Sequence, residues 1–188
     1  MLAGLALTDL DLSDRSAAGA ELDQCRCQNV NFGQVRLNRT IIRDVEFDRC
    51  DLANLRARES SMSRVAASAT RMTGLTWITG ILRDVTFANC RIDLAFFSAT
   101  RFTNVVFANC RLDQANFGDA ELTEVRFDNC DLTAAQFSGA RLAETRFTGC
   151  DLTGLAGVTS LRGATMSSAD AVGLAASFAE ALGIKIEG

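Results

Sequence analysis

The side chains able to do chemistry in this chain of 188 residues are seven cysteines, 23 carboxylates and 18 arginines; there is one lysine and no histidine or tyrosine. Without histidine the commonest general base and metal ligand are missing. Histidine triads, HExxH zinc sites and histidine-containing zinc fingers are therefore excluded. Cys90, Cys110, Cys130 and Cys150 recur every 20 residues, preceded by Cys25, Cys27 and Cys50. A metal or redox array is one reading of such a series, but a spacing of 20 is not a zinc-ligand spacing. The alternative is that each thiol fills a small apolar slot in a close-packed interior. No glycine-rich phosphate loop and no paired-carboxylate motif accompany them. The expectation is a non-enzyme with no catalytic, cofactor or metal site.

The charges are unevenly placed. Residues 1–54 carry net −3, residues 55–111 net +5 and residues 112–188 net −6, for a total of −4. The acidic total disfavours direct nucleic-acid binding. Arg71, Arg91 and Arg111 share the 20-residue spacing, with Asp93 and Asp113 two residues after the second and third. No apolar run approaches the roughly 18–20 residues of a membrane span, and the apolar start lacks a basic flank, so a cytoplasmic protein is expected. Asn38-Arg39-Thr40 matches a glycosylation sequon and is discounted, because short sequons are common and no secretion signal accompanies it.

The elements that must position these groups follow a five-residue clock. Of the 31 residues taken every fifth position from Leu2 to Leu152, 27 are Leu, Phe, Ile, Met or Trp. The residue two places earlier is small or β-branched, as in Val85, Cys90, Ala95, Thr100 and Val105, and the other three are mostly polar. Two inward and three outward positions in every five fit neither a helix nor a flat strand. They fit a coil in which each pentad forms one side. Phe87, Phe107, Phe127 and Phe147 each stand three residues before a cysteine, giving four sides per turn and a square coil. Stacked turns at about 4.8 Å make nearly eight coils and a rod of roughly 35–40 Å. The cysteines then stack with side chains pointing the same way, poor geometry for disulfides. Trp77, Met62 and Met72, beside the smaller centres Ala57 and Ala67, read as packing variation. The outward Asn89, Asn109 and Asn129 are expected in turns or inter-coil hydrogen bonds.

The clock resembles the pentapeptide-repeat family, whose pattern is A(D/N)LXX, and the match covers about residues 2–155. The resemblance implies an all-β, right-handed quadrilateral β-helix with a short C-terminal α-helical cap and dimerisation module. The boundaries expected are 1–155 for the β-helix and 156–188 for a last irregular coil, helix and tail. Leu161 and Met166 are out of step with Leu152 and should form that last coil. Ser167 or Ser168 should cap a helix beginning near Ala169, Gly183 should end it, and Ile184-Lys185-Ile186 should form a short strand.

The tail is similar to that of the gyrase-interacting branch, MfpA and the Qnr proteins. That likeness implies a homodimer through Val172, Leu174, Ala175, Phe178, Leu182, Ile184 and Ile186. Two net −6 segments would then meet in a rod of roughly 75–90 Å, comparable with about 22–26 base pairs. The partner implied is DNA gyrase or a related type II topoisomerase, bound by mimicry of DNA through Asp113, Asp119, Glu121, Glu124, Asp128, Asp131, Glu144 and Asp151. The unbroken register leaves no place for Qnr-type loops, so the arrangement resembles MfpA more closely. The competing reading is a non-catalytic scaffold that binds another partner through outward Ile78, Ile81, Phe96 and Val106 on the central coils.

Overall fold

The computed structural model describes residues 1–185. The chain winds as a right-handed square β-solenoid of about eight turns closed by a short helical segment. All strand pairings are parallel, and the register steps by 20 residues: Phe87 pairs with Phe107, and Phe107 with Phe127. The first side of the square is centred on residues such as Leu82, Phe102 and Leu122, and the second on Phe87, Phe107 and Phe127. Eight-residue strands, such as Ile81–Ala88, Arg101–Ala108 and Glu121–Asp128, run across both. The third side, centred on Ile92, Leu112 and Leu132, is joined by single bridges running from Asp11 to Asp151. The fourth, centred on Leu37, Ala57, Trp77 and Phe97, is built from the short strands Arg36–Asn38, Arg56–Arg58 and Thr76–Ile78, extended by bridges at Phe96, Asn116 and Gln136.

Each corner turns on one residue in the left-handed region. Every fifth residue from Gly4 to Gly154 has positive φ, and 25 of these are not glycine. Asn and Asp tolerate this conformation best, which explains their frequency at the corners. Asn89, Asn109 and Asn129 are three such residues, with φ of 52–54°. Along the regular coils the corner N–H is satisfied by the coil above, as Asn89 N donates to the Ala108 carbonyl at 2.9 Å. The strain is thus held by the same ladder that stacks the coils.

The lumen holds the pentad centres and the small inward residues. Phe97, Phe102, Phe107, Phe117, Phe127 and Phe137 are wholly buried. The rings stack along the axis, Phe87–Phe107 at 4.9 Å, Phe107–Phe127 at 5.0 Å and Phe127–Phe147 at 5.0 Å. Parallel offset rings at this spacing add about 0.5–1.5 kcal/mol per pair to their area burial.

The regular step ends after Ala156. Phe147 pairs with Met166, a spacing of 19. A 3-10 turn at Val158–Leu161 takes up the missing residue, and Leu161 is buried against the core. Helix α1 (Ser168–Gly173) and helix α2 (Ala175–Ala181) follow. One helix is expected from sequence; the structure breaks it at Leu174, which is wholly buried in the core cluster.

Ser167 is the N-cap, and Asp170 completes a capping box with it. Asp170 also stands 20 residues after Cys150, and its carboxylate accepts from Cys150 N at 2.9 Å and Gly149 N at 3.1 Å. One side chain therefore caps both a helix and the open edge of the last coil. Gly183, at φ 69°, ends α2, with Ile184 N donating to the Ala179 carbonyl. Ile184 and Lys185 form no strand; Ile186 lies outside the described residues. Among the described residues no helix is long and apolar enough to cross a membrane.

Candidate interaction surfaces

Cys50, Cys90, Cys110, Cys130 and Cys150 share one position of the 20-residue turn, while Cys25 and Cys27 stand outside it. All seven are free and buried. Each of the last four donates its Sγ to two carbonyls, as Cys110 does to Phe87 O and Ala108 O at 3.4 Å. The inward threonines Thr70, Thr100 and Thr145 make the same pair of bonds, as Thr145 donates to Leu122 O and Ala143 O. The slot thus asks for a small donor, and Cys supplies one with an apolar body. Burial, with the neighbouring Cys50 and Cys25, pushes the Cys27 thiol up to about 12.

The eight expected acidic residues do not form one surface. Glu124 and Glu144 share the corner between the first and second sides on consecutive coils. Asp128 lies on the second side, and Asp113, Asp131 and Asp151 lie on the third. Asp119 and Glu121 stand at the corner entering the first side, one corner before Glu124. Their 20-residue register already separates them, a signal that the distribution of charge along the chain does not carry.

Three of the eight are neutralised. Glu121 sits between Arg101, at 2.8 Å, and Arg141, which together hold its carboxyl below the usual range. Asp128 meets Arg126 at 3.2 Å, and Asp113 meets Arg111 at 3.6 Å. Among the described residues Asp119, Glu124, Asp131, Glu144 and Asp151 have no cation within 4 Å. Asp131 and Asp151 also accept the N–H of Thr133 and Thr153, each at 3.0 Å, closing a tight turn. That turn, through the Thr153 side chain and then its N–H, holds the Asp151 carboxyl below its ordinary value.

The Arg71, Arg91 and Arg111 ladder is present as a run of consecutive bridges. Each guanidinium has a carboxylate beside it: Asp51 at 3.5 Å, Asp93 at 3.5 Å and Asp113 at 3.6 Å. The ladder is therefore locally neutralised.

The expected apolar surface divides. Ile78 and Phe96 lie on the fourth side, Ile81 on the first and Val106 on the second, because their positions differ within the 20-residue turn. Leu94, absent from the sequence expectation, joins Phe96: the two are 45% and 49% exposed. In the tail Val172, Ala175, Phe178, Leu182 and Ile184 are exposed, whereas Leu174 faces this chain's own core and is unavailable to a second copy.

Sequence reading also missed a basic patch. Among the described residues ten of the 18 arginines have a carboxylate within 4 Å. No arginine of the fourth side is among them. Arg36 and Arg56 are register partners on adjacent coils, Asn38 faces Arg58, and Arg39 stands at the following corner. The signal is the 20-residue interval from Arg36 to Arg56, visible once the coil period is used.

Residues 18–54 match a family model for pentapeptide repeats, and residues 80–156 match one for a pentapeptide repeat region. The coil is a pentapeptide-repeat β-helix. Among solved structures, full-length QnrB1, a plasmid-mediated fluoroquinolone resistance protein, aligns over 97% of this chain and 99% of its own. Identity is 20% and the TM-score 0.50. The pentapeptide-repeat protein HetL of the cyanobacterium Nostoc sp., involved in heterocyst differentiation regulation, aligns over 87% of this chain and 86% of its own at 18% identity and a TM-score of 0.41. No curated protein matches the sequence. The likeness to QnrB1 is one of fold.

Proposed function

We propose that this pentapeptide-repeat protein binds DNA gyrase or a related type II topoisomerase as a DNA mimic, without catalysis of its own. Binding inhibits the enzyme, shelters it from quinolones or gyrase poisons, or does both. The observation that carries this reading is the set of unneutralised carboxylates on the last two regular coils. Glu124 with Glu144, and Asp131 with Asp151, repeat at the coil spacing of about 4.8 Å on a rigid rod. A saddle that holds DNA through Lys and Arg contacts to phosphate would meet these carboxylates instead. Asp119 contributes from the preceding corner; Asp113, Glu121 and Asp128 contribute less because arginines already engage them. The neutralised central ladder removes the main electrostatic obstacle to that fit. QnrB1's association with fluoroquinolone resistance agrees with this choice of partner.

The active species in this reading is a cytoplasmic homodimer joined through the exposed tail residues Val172, Ala175, Phe178, Leu182 and Ile184, continuing towards Ile186. A gyrase supercoiling assay titrated with the protein, with and without ciprofloxacin, tests the proposal. Inhibition or rescue from drug-induced cleavage is expected, weakened at least about tenfold by combined Glu124→Lys, Asp131→Lys and Glu144→Lys. Light scattering should show a dimer that Phe178→Asp converts to monomer. An unaltered titration by the triple variant sinks mimicry.

A second reading, a scaffold for a different partner, is favoured by exposed Leu94 and Phe96 on the fourth side. It is supported if Phe96→Asp abolishes partner capture while the acidic variants retain it.

A further inference from the structure

We propose that the fourth side is a docking strip for an extended, acidic-then-apolar segment of another protein, separate from the acidic C-terminal coils. The strip is read along the rod, one residue per coil. One column runs Ser16, Arg36, Arg56, Thr76, Phe96 and Asn116 in continuous parallel register. The neighbouring column runs Ala18, Asn38, Arg58 and Ile78. Arg36, Arg39, Arg56 and Arg58 are exposed, and among the described residues none has a carboxylate within 4 Å. Arg36, Asn38, Arg56, Arg58, Thr76 and Ile78 line a recess of about 250 Å³.

This arrangement is costly without a ligand. Like charges directly opposite on adjacent strands repel. Elsewhere the coil relieves the same situation with a carboxylate one coil away, as Asp44 does for Arg64 at 2.6 Å and Glu46 for Arg26 at 2.7 Å. The nearest acids on this side, Asp14 and Glu59, leave the guanidinium groups unpaired. Arginine forks match carboxylates in bidentate geometry, so anionic side chains are the complement.

The next two coils replace charge with Ile78, Leu94 and Phe96. From Arg36 to Phe96 is three coils, about 14 Å, the reach of about four extended residues. The complement is therefore a segment with two or more acidic residues followed within about four by an aliphatic or aromatic one. A nucleic acid fits less well. Its phosphate chain would continue over the apolar coils and then towards the acidic C-terminal end.

Fluorescence anisotropy with a labelled GEEESLFG peptide at low salt tests the strip. Parallel arms use GQQQSLFG and oligothymidylate, each with the unaltered protein and with Arg56→Gln/Arg58→Gln, Phe96→Ser and Arg83→Gln. Arg83→Gln is the control, an arginine of the first side that, among the described residues, is also without a carboxylate within 4 Å. The expected result is binding of GEEESLFG that weakens at least about tenfold in the double variant and with GQQQSLFG, less with Phe96→Ser, and not with Arg83→Gln. The double variant should melt at or above the temperature of the unaltered protein, because it loses repulsion, so weaker binding is not misfolding. No binding of GEEESLFG, equal binding of GQQQSLFG, equal loss in Arg83→Gln, or an equal affinity for oligothymidylate overturns the proposal. Topoisomerase inhibition should persist in Arg56→Gln/Arg58→Gln, so the two proposals fail separately.

Discussion

The two ends of the coil obey one repeat rule and reach different states of packing. In the C-terminal coils the pentad centres are large on opposite sides, and Phe97, Phe107, Phe117, Phe127 and Phe137 have no solvent exposure. Their rings interlock, stacked along each side and edge-on across it, as Phe117 meets Phe137 at 4.9 Å and Phe127 at 5.8 Å. In the N-terminal coils the centres include Ala17 and Cys27, and Leu2, Leu5 and Leu10 are 49%, 38% and 42% exposed. There the lumen keeps an apolar cavity of about 280 Å³, bordered by Leu12, Ala17, Ala20, Leu22 and Phe32. The pentad pattern makes the square; the volumes at its centres decide whether the square is solid.

The largest test of that contrast is truncation of one ring at each end. Phe107→Ala should cost about 3–5 kcal/mol in chemical denaturation, with Phe32→Ala costing about half as much because its side is open. Equal costs would mean that the N-terminal cavity closes in solution. Removing the cap comes next. Asp170→Ala leaves the N–H groups of Gly149 and Cys150 unpaired and should cost about 2–3 kcal/mol, read as earlier hydrogen exchange in the last coil.

Alkali should act through the thiols. Cys27 is held protonated to about 12 in the fold, whereas in the unfolded chain it ionises near an ordinary thiol value of about 8.5. Its contribution is complete below that lower value and is lost as pH rises towards the upper one. The urea midpoint should therefore fall between pH 8 and pH 10, by about 1–2 kcal/mol for this group. A midpoint that does not move would show that Cys27 is already open to solvent. The smallest expected effect is a gain. Ala17→Leu should fill part of the N-terminal cavity and add about 1 kcal/mol, seen as a higher melting temperature.

Much of this was readable from the residues. Period, inward positions, thiol slots, the Ser167 cap and the pairing of Arg91 with Asp93 all follow from spacing, because a coil without insertions turns sequence distance directly into position. The acidic residues were harder. Net charge along the chain groups Glu121 with Glu124, yet they stand at the two ends of the first side and two arginines occupy the first. Leu174 was misplaced for a related reason: helical spacing puts it on the face of Phe178, whereas the break at Leu174 itself turns it into the core. Leu94 went unmarked because a corner residue in an αL turn is exposed whatever its hydrophobicity.

The 19-residue final turn has a consequence for how such a protein changes length. Before it, every coil presents the same edge as the last, so a 20-residue duplication can enter or leave without disturbing its neighbours. After it, the edge is shifted by one residue and occupied by Asp170, so no further turn can be templated there. The shift works as a full stop: the rod grows or shrinks from within, while its C-terminal end remains the same.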